Sequence, residues 1–105
     1  MRVLFDQGVP SPLRELLPGC EVHTAYELGW TTLSNGELLA KAESQFDVFM
    51  TTDRNLQKQQ NLAQRRIAIL VLPTTSWPRL RNMAAEIAST LKALAPGQYK
   101  DMASR

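Results

Sequence analysis

The sequence predicts an α/β protein: a three-layer α/β/α sandwich built on a mainly parallel four-stranded sheet. Two observations carry this. Short apolar, β-favouring runs alternate with segments of helical spacing four times along the chain. Consecutive parallel strands need crossover helices, which cover the sheet faces. Acids also follow the first and third runs, Asp6 and Asp53, where open α/β sheets form their ligand crevice beyond the strand ends.

Arg2–Phe5 is the first strand, short and apolar. Asp6-Gln7-Gly8 turns the chain, and Ser11-Pro12 opens a helix with serine as cap and proline in the first turn. Leu13, Leu16 and Leu17 form its inner face before Pro18-Gly19 stops it. Glu21–Thr24 is a second strand, nearer a sheet edge, with His23 a surface residue of that strand. Gly29 ends a single helical turn, and Trp30 folds back onto the core. Ser34-Asn35-Gly36-Glu37 then reads as a capping box, opening a helix whose stripe is Leu38, Leu39, Ala42 and Phe46.

Phe46–Thr52 is the third strand. A glutamine-rich helix over 54–64 follows, anchored by Leu56 and Leu62. Ile67–Leu72 is the clearest strand, a continuous apolar run as expected where both faces are covered. From Ser76 to Pro96 the apolar residues Leu80, Met83, Ala84, Ile87, Leu91 and Leu94 recur at helical spacing, predicting one long helix. Residues 1–97 make one domain and 98–105 a C-terminal tail.

Composition narrows the function classes. The chain has 105 residues, 44% of them apolar, enough for one ordinary core. No apolar stretch reaches the roughly 20 residues of a membrane span. The start of the chain enters a strand with no signal-peptide pattern, and Cys20 has no cysteine to pair with, so a reducing cytoplasm is expected. Charge is unevenly placed: residues 1–53 hold 3 basic side chains against 8 acids, and residues 54–105 hold 9 against 2. Such asymmetry points to nucleic-acid contact. Arg54, Lys58, Arg65 and Arg66 are the candidate phosphate contacts, while Trp30 and Trp77 are expected to pack in the core.

Asp6, Glu37 and Asp53 form the candidate site. Each has a local structural role open to it: an Asx turn for Asp6, the capping box for Glu37, a helix cap for Asp53. Convergent carboxylates would instead require a counter-cation, and Mg²⁺ or Mn²⁺ prefer oxygen ligands. In that arrangement Asp6 and Asp53 ligate the ion, Glu37 directly or through water. The ion lowers the pKa of a bound water, giving metal-assisted phosphodiester hydrolysis. One His and one Cys are too few to argue a nucleophilic triad.

Leu4-Phe5-Asp6-Gln7-Gly8-Val9-Pro10, Leu33-Ser34-Asn35-Gly36-Glu37-Leu38-Leu39 and Val48-Phe49-Met50-Thr51-Thr52-Asp53-Arg54-Asn55-Leu56 resemble, in order, the short PIN-like domains of bacteria and archaea. The resemblance covers nearly the whole chain. It implies an acidic pocket for Mg²⁺ or Mn²⁺ and ribonuclease activity, in many cases as the toxin of a toxin–antitoxin pair. Asp6, Glu37 and Asp53 match the family's acids. Asn55 stands where many relatives have another acid; it can ligate but adds no charge. RNA is then the substrate, with an antitoxin protein and a second copy of the chain, as a homodimer, as candidate partners. Two other readings are a non-catalytic PIN-like interaction module and a phosphoacceptor receiver-like domain. The second would use Asp53 as acceptor, but lacks an acid at Gln7 and an expected fifth strand carrying a lysine.

Overall fold

The computed structural model describes residues 1–56 and 65–103 of the chain. Its centre is a sheet whose strands run in the order β2-β1-β3-β4-β5, every pairing parallel. The strands are β1 (Arg2–Phe5), β2 (Glu21–Thr24), β3 (Val48–Thr51), β4 (Ala68–Val71) and β5 (Tyr99–Asp101). β3 and β4 are buried throughout, which explains their apolar sequences, Thr51 at the end of β3 excepted: side chains alternate between two covered faces.

On one face Val3, Phe5, Val48, Met50, Ala68 and Leu70 meet Leu13, Leu80, Ile87 and Leu91. Those partners come from a 3₁₀ helix (Ser11–Leu16) and from helices α2 (Trp77–Asn82) and α3 (Ala84–Ala93). On the other face Leu4, Phe49, Ile69 and Val71 meet Leu38, Leu39 and Ala42 of α1 (Asn35–Glu43). Leu56 joins this second cluster, and Trp30 packs against it as expected. The fold is thus α/β, with helices on both faces of a parallel sheet.

The number of strands differs from the sequence expectation. The sheet has five strands, because residues assigned to a tail form β5 along β4. Gly97, at φ +77°, turns the chain out of the preceding loop. Gln98 O accepts from Ile69 N at 2.8 Å and Met102 N donates to Val71 O at 2.9 Å, fastening both ends of the strand. β1→β2 and β4→β5 both cross over the face holding the 3₁₀ helix, α2 and α3, yet move in opposite directions across the sheet. These two crossovers are therefore of opposite hand, a departure from the usual uniformly right-handed pattern.

Two helical expectations also change. The first helix is a six-residue 3₁₀ segment capped by Pro10, and no serine side chain caps it; Leu13 N bonds Pro10 O, an i→i+3 closure. The long helix is two, broken at Met83 (φ −99°, ψ 5°), whose side chain still packs on the core. The glutamine-rich helix expected over 54–64 lies mostly outside the described residues. Among the described residues no helix is long and apolar enough to cross a membrane.

Candidate active site at the carboxyl edge of the sheet

In the order β2-β1-β3, the chain leaves β1 to one side and returns to its other side, so β1 and β3 flank the topological switch point. Ligand crevices of open α/β sheets lie there. The register sets Phe5 opposite Met50, so Asp6 and Thr51 continue side by side past the pair, and Asp6 N extends the ladder by donating to Met50 O at 2.9 Å.

Thr51, a buried polar residue with no measurable exposure, joins the two acids. Its hydroxyl donates to Asp6 Oδ2 at 2.8 Å and accepts from Asp53 N at 3.1 Å. Asp6 and the loop carrying Asp53 are thereby held against one oxygen atom. The other oxygen of Asp6 accepts from Gln7 N at 2.8 Å. Asp53 Oδ1 accepts from Asn55 N at 2.9 Å, and Asn35 Nδ2 at the start of α1 reaches Asp53 Oδ2 at 3.4 Å. Gly8 lies so close to Thr52 that an added Cβ would collide with the threonine hydroxyl, so glycine permits the two loops to approach.

Glu37 does not join them. Its carboxylate accepts from Ser34 N at 3.2 Å and Ser34 Oγ at 2.9 Å, while Glu37 N donates back to Ser34 Oγ. The Ser34 hydroxyl, then its backbone N–H, hold the carboxyl below its ordinary pKa. Among the described residues no three His, Cys, Asp or Glu side chains converge to hold a metal ion. In this conformation Glu37 is held in its capping box, while the Asp6 carboxylate and the Asp53 backbone meet at Thr51. The capping box competes for Glu37 and satisfies it locally.

The basic residues divide. Arg54 is at the rim, with Nε 3.8 Å from Asp101 Oδ2 at the end of β5. Arg65 and Arg66 are at the opposite edge. Arg65 pairs with Glu43 at 3.1 Å, and Arg66 N donates to Glu43 Oε1 at 2.8 Å. That N–H first, then Arg65, lowers the pKa of Glu43. Glu43, Phe46, Asp47 and Arg66 help line a cleft of about 350 Å³ at this amino edge, on the far side of the sheet from Asp6. Lys58 lies outside the described residues. Asn55 contributes its backbone to Asp53 and is itself exposed.

Asp101 and Tyr99 are the rim residues that sequence reasoning missed. Burial, then the charges of Asp101 and Asp53, raise the Tyr99 pKa, which reflects how closely β5 approaches the Asp53 loop. The only sequence signal was the alternation Tyr99-Lys100-Asp101 after a Pro-Gly turn, three residues long.

Beyond β2 an ion pair fastens the next loop: Arg14 holds Glu27 at 2.7 Å, and Thr24 N donates to the same carboxylate at 3.0 Å. The Arg14 hydrogen bond, then Thr24, lowers the Glu27 pKa from 4.5 to about 2. A depressed folded-state pKa stabilises above the unfolded value and loses that contribution as pH falls through the folded one. Melting curves should therefore show the advantage of wild type over Glu27→Gln constant above about pH 5, then shrinking towards pH 2. An advantage independent of pH would detach it from this carboxylate.

Comparison with protein-family models, curated proteins and solved structures finds no match for this chain. The fold and the rim chemistry define its class: a doubly wound parallel α/β protein with two aspartates linked through Thr51 at its switch point.

Proposed function

We propose that the protein is a metal-dependent nuclease, a cytoplasmic PIN-like ribonuclease. The supporting observation is that the Asp6 carboxylate and the Asp53 backbone N–H, beyond adjacent strands, both bond the Thr51 hydroxyl, which sets the two aspartates at the switch point. The donor set suits a hard divalent cation. Mg²⁺ is commonly bound through one or two carboxylates, with waters and substrate phosphate completing its shell. Here Asp6 and Asp53 would hold Mg²⁺ or Mn²⁺, and neutral oxygens of the neighbouring Thr and Asn side chains add polarity without repulsion. Bound there, the ion would supply a nucleophilic water at neutral pH and polarise the phosphate. Thr51 orients Asp6 by donating to it. Arg54 offers the substrate a cation at the rim. In a toxin–antitoxin pair this would be the toxin.

Glu37, engaged in its box, is a helix-capping residue in this reading. Saturating Mn²⁺ at about 100 times Kd should stabilise wild type by roughly 2.7 kcal/mol. Glu37→Gln, which can still complete a capping box, should keep that response, and Asp53→Asn should lose most of it. Identical metal responses in wild type and Asp53→Asn, read by thermal melts with and without EDTA, would sink the site.

A second reading gains from the topology. The sheet has a fifth strand carrying Lys100, contrary to the expectation that counted against a phosphoacceptor domain. The rim residue of β5 is nevertheless the acid Asp101, paired with Arg54, and Gln7 still replaces an acid. Labelling of Asp53 by acetyl phosphate would favour the phosphoacceptor over the nuclease.

A further inference from the structure

Tyr26 is the most exposed large apolar side chain among the described residues, at 81%. It stands in the loop leaving β2, at the same rim as Asp6. Ala25 N donates to Phe5 O at 2.9 Å, which pins the start of this loop beside the residue preceding Asp6. Gln7, directly after Asp6, donates its side-chain amide to Thr31 O at 2.9 Å. The Asp6 turn and the Tyr26 loop are thus one continuous surface. Gln7, Tyr26 and Thr31 line a shallow depression of about 460 Å³ on it.

The chemistry of this depression is specific about what it does not attract. Arg14, whose partner Glu27 follows Tyr26, is held by that carboxylate at 2.7 Å. Among the described residues the lining of the depression is neutral: an aromatic face and hydrogen-bonding groups. A primary amide has two N–H donors and a carbonyl acceptor. Gln7 uses one N–H on Thr31, which leaves its carbonyl oxygen and second N–H to offer a ligand of mixed donors and acceptors. A flat ring bearing such groups along its edge is a nucleobase.

We propose that Tyr26, Gln7 and Thr31 form a base-binding subsite, in which Tyr26 stacks on one nucleobase and Gln7 and Thr31 meet its edge. This rests on the nuclease reading and deepens it, because it fixes the substrate as single-stranded. A base stacked on a protein side chain must be unpaired and splayed from its neighbours, which a duplex resists. Recognition on the two sides of the scissile position is then divided: charge at the Asp6–Asp53 and Arg54 side, base stacking at the β2 side.

The test is equilibrium binding in EDTA at low salt, where no cleavage occurs. The ligands are a short single-stranded RNA, the same strand with abasic sugars, and the matching duplex. The proteins are wild type, Tyr26→Ala and Tyr26→Phe, each checked for an unchanged melting temperature. Single-stranded RNA affinity should fall roughly 5- to 100-fold in Tyr26→Ala, as for loss of one stacked base, and survive in Tyr26→Phe. The abasic strand should bind all three proteins equally. Equal single-strand affinity in wild type and Tyr26→Ala overturns the subsite and leaves the nuclease reading standing. So does an equal loss on the abasic strand, which would assign Tyr26 to the backbone. Wild type binding no RNA of any form overturns the subsite, whose stacking needs no metal, and leaves the nuclease reading to its metal-dependent cleavage assay.

Discussion

Asp6→Asn and Asp53→Asn should each lower cleavage of single-stranded RNA by roughly two to three orders of magnitude, and EDTA should abolish it. The size follows from losing several kcal/mol of metal-borne charge stabilisation, at 1.36 kcal/mol per factor of ten. Asparagine is the informative replacement because its one oxygen can keep the backbone bond that folds each turn, from Gln7 N at 2.8 Å for Asp6 and from Asn55 N at 2.9 Å for Asp53, while an amide nitrogen replaces the second oxygen. The turns survive while the charge goes. A variant with wild-type melting temperature and greatly reduced cleavage ties the activity to the carboxylate pair. Cleavage unchanged in both variants would leave these aspartates as turn residues and nothing more.

The parts of this molecule legible in its sequence are those set by burial. Val48–Thr51 and Ala68–Val71 stand out as strands because both their faces are covered. Asp6 and Asp53 were legible as acids following two apolar runs, while the pairing of β1 with β3 that brings them to one rim is a finding of the structure. The Ser34–Glu37 box was equally legible, but it answered a different question: a glutamate that closes a capping box is held there and is not available by default to a neighbouring site. The positions of Arg65 and Arg66 were also readable in principle. Residues immediately before a parallel strand lie at its amino edge, opposite the carboxyl rim, whatever their charge. Net charge in one half of a sequence carries no such positional information. β5 was not legible, since three residues, none of them fully buried, give too little periodicity to distinguish strand from tail. The break at Met83 leaves the spacing of apolar residues intact, so periodicity cannot detect it.

Ending the chain after Pro96 should be strongly destabilising, although residues 98–105 read as a C-terminal tail. β4 is buried along its whole length, and without β5 one side of it becomes an open sheet edge. Ile69 N would lose its bond to Gln98 O, and Val71 O its bond from Met102 N, along with the ladder between them. At about 1 kcal/mol net per hydrogen bond, the loss is a few kcal/mol before packing is counted. Tyr99 and Met102 also pack on opposite core clusters, and removing them exposes apolar surface on both faces. Against a total stability of roughly 5–15 kcal/mol, a few kcal/mol is severe. At roughly 4–8 °C per kcal/mol for a domain near this size, the melting temperature should drop by more than about 10 °C. The truncated chain should also associate, because an unprotected apolar edge pairs with other strands. Differential scanning calorimetry and light scattering on the chain ending at Pro96 decide the matter. If it melts within a few degrees of wild type and stays monodisperse, β5 contributes little to the sheet, and Asp101 has no fixed platform from which to reach Arg54.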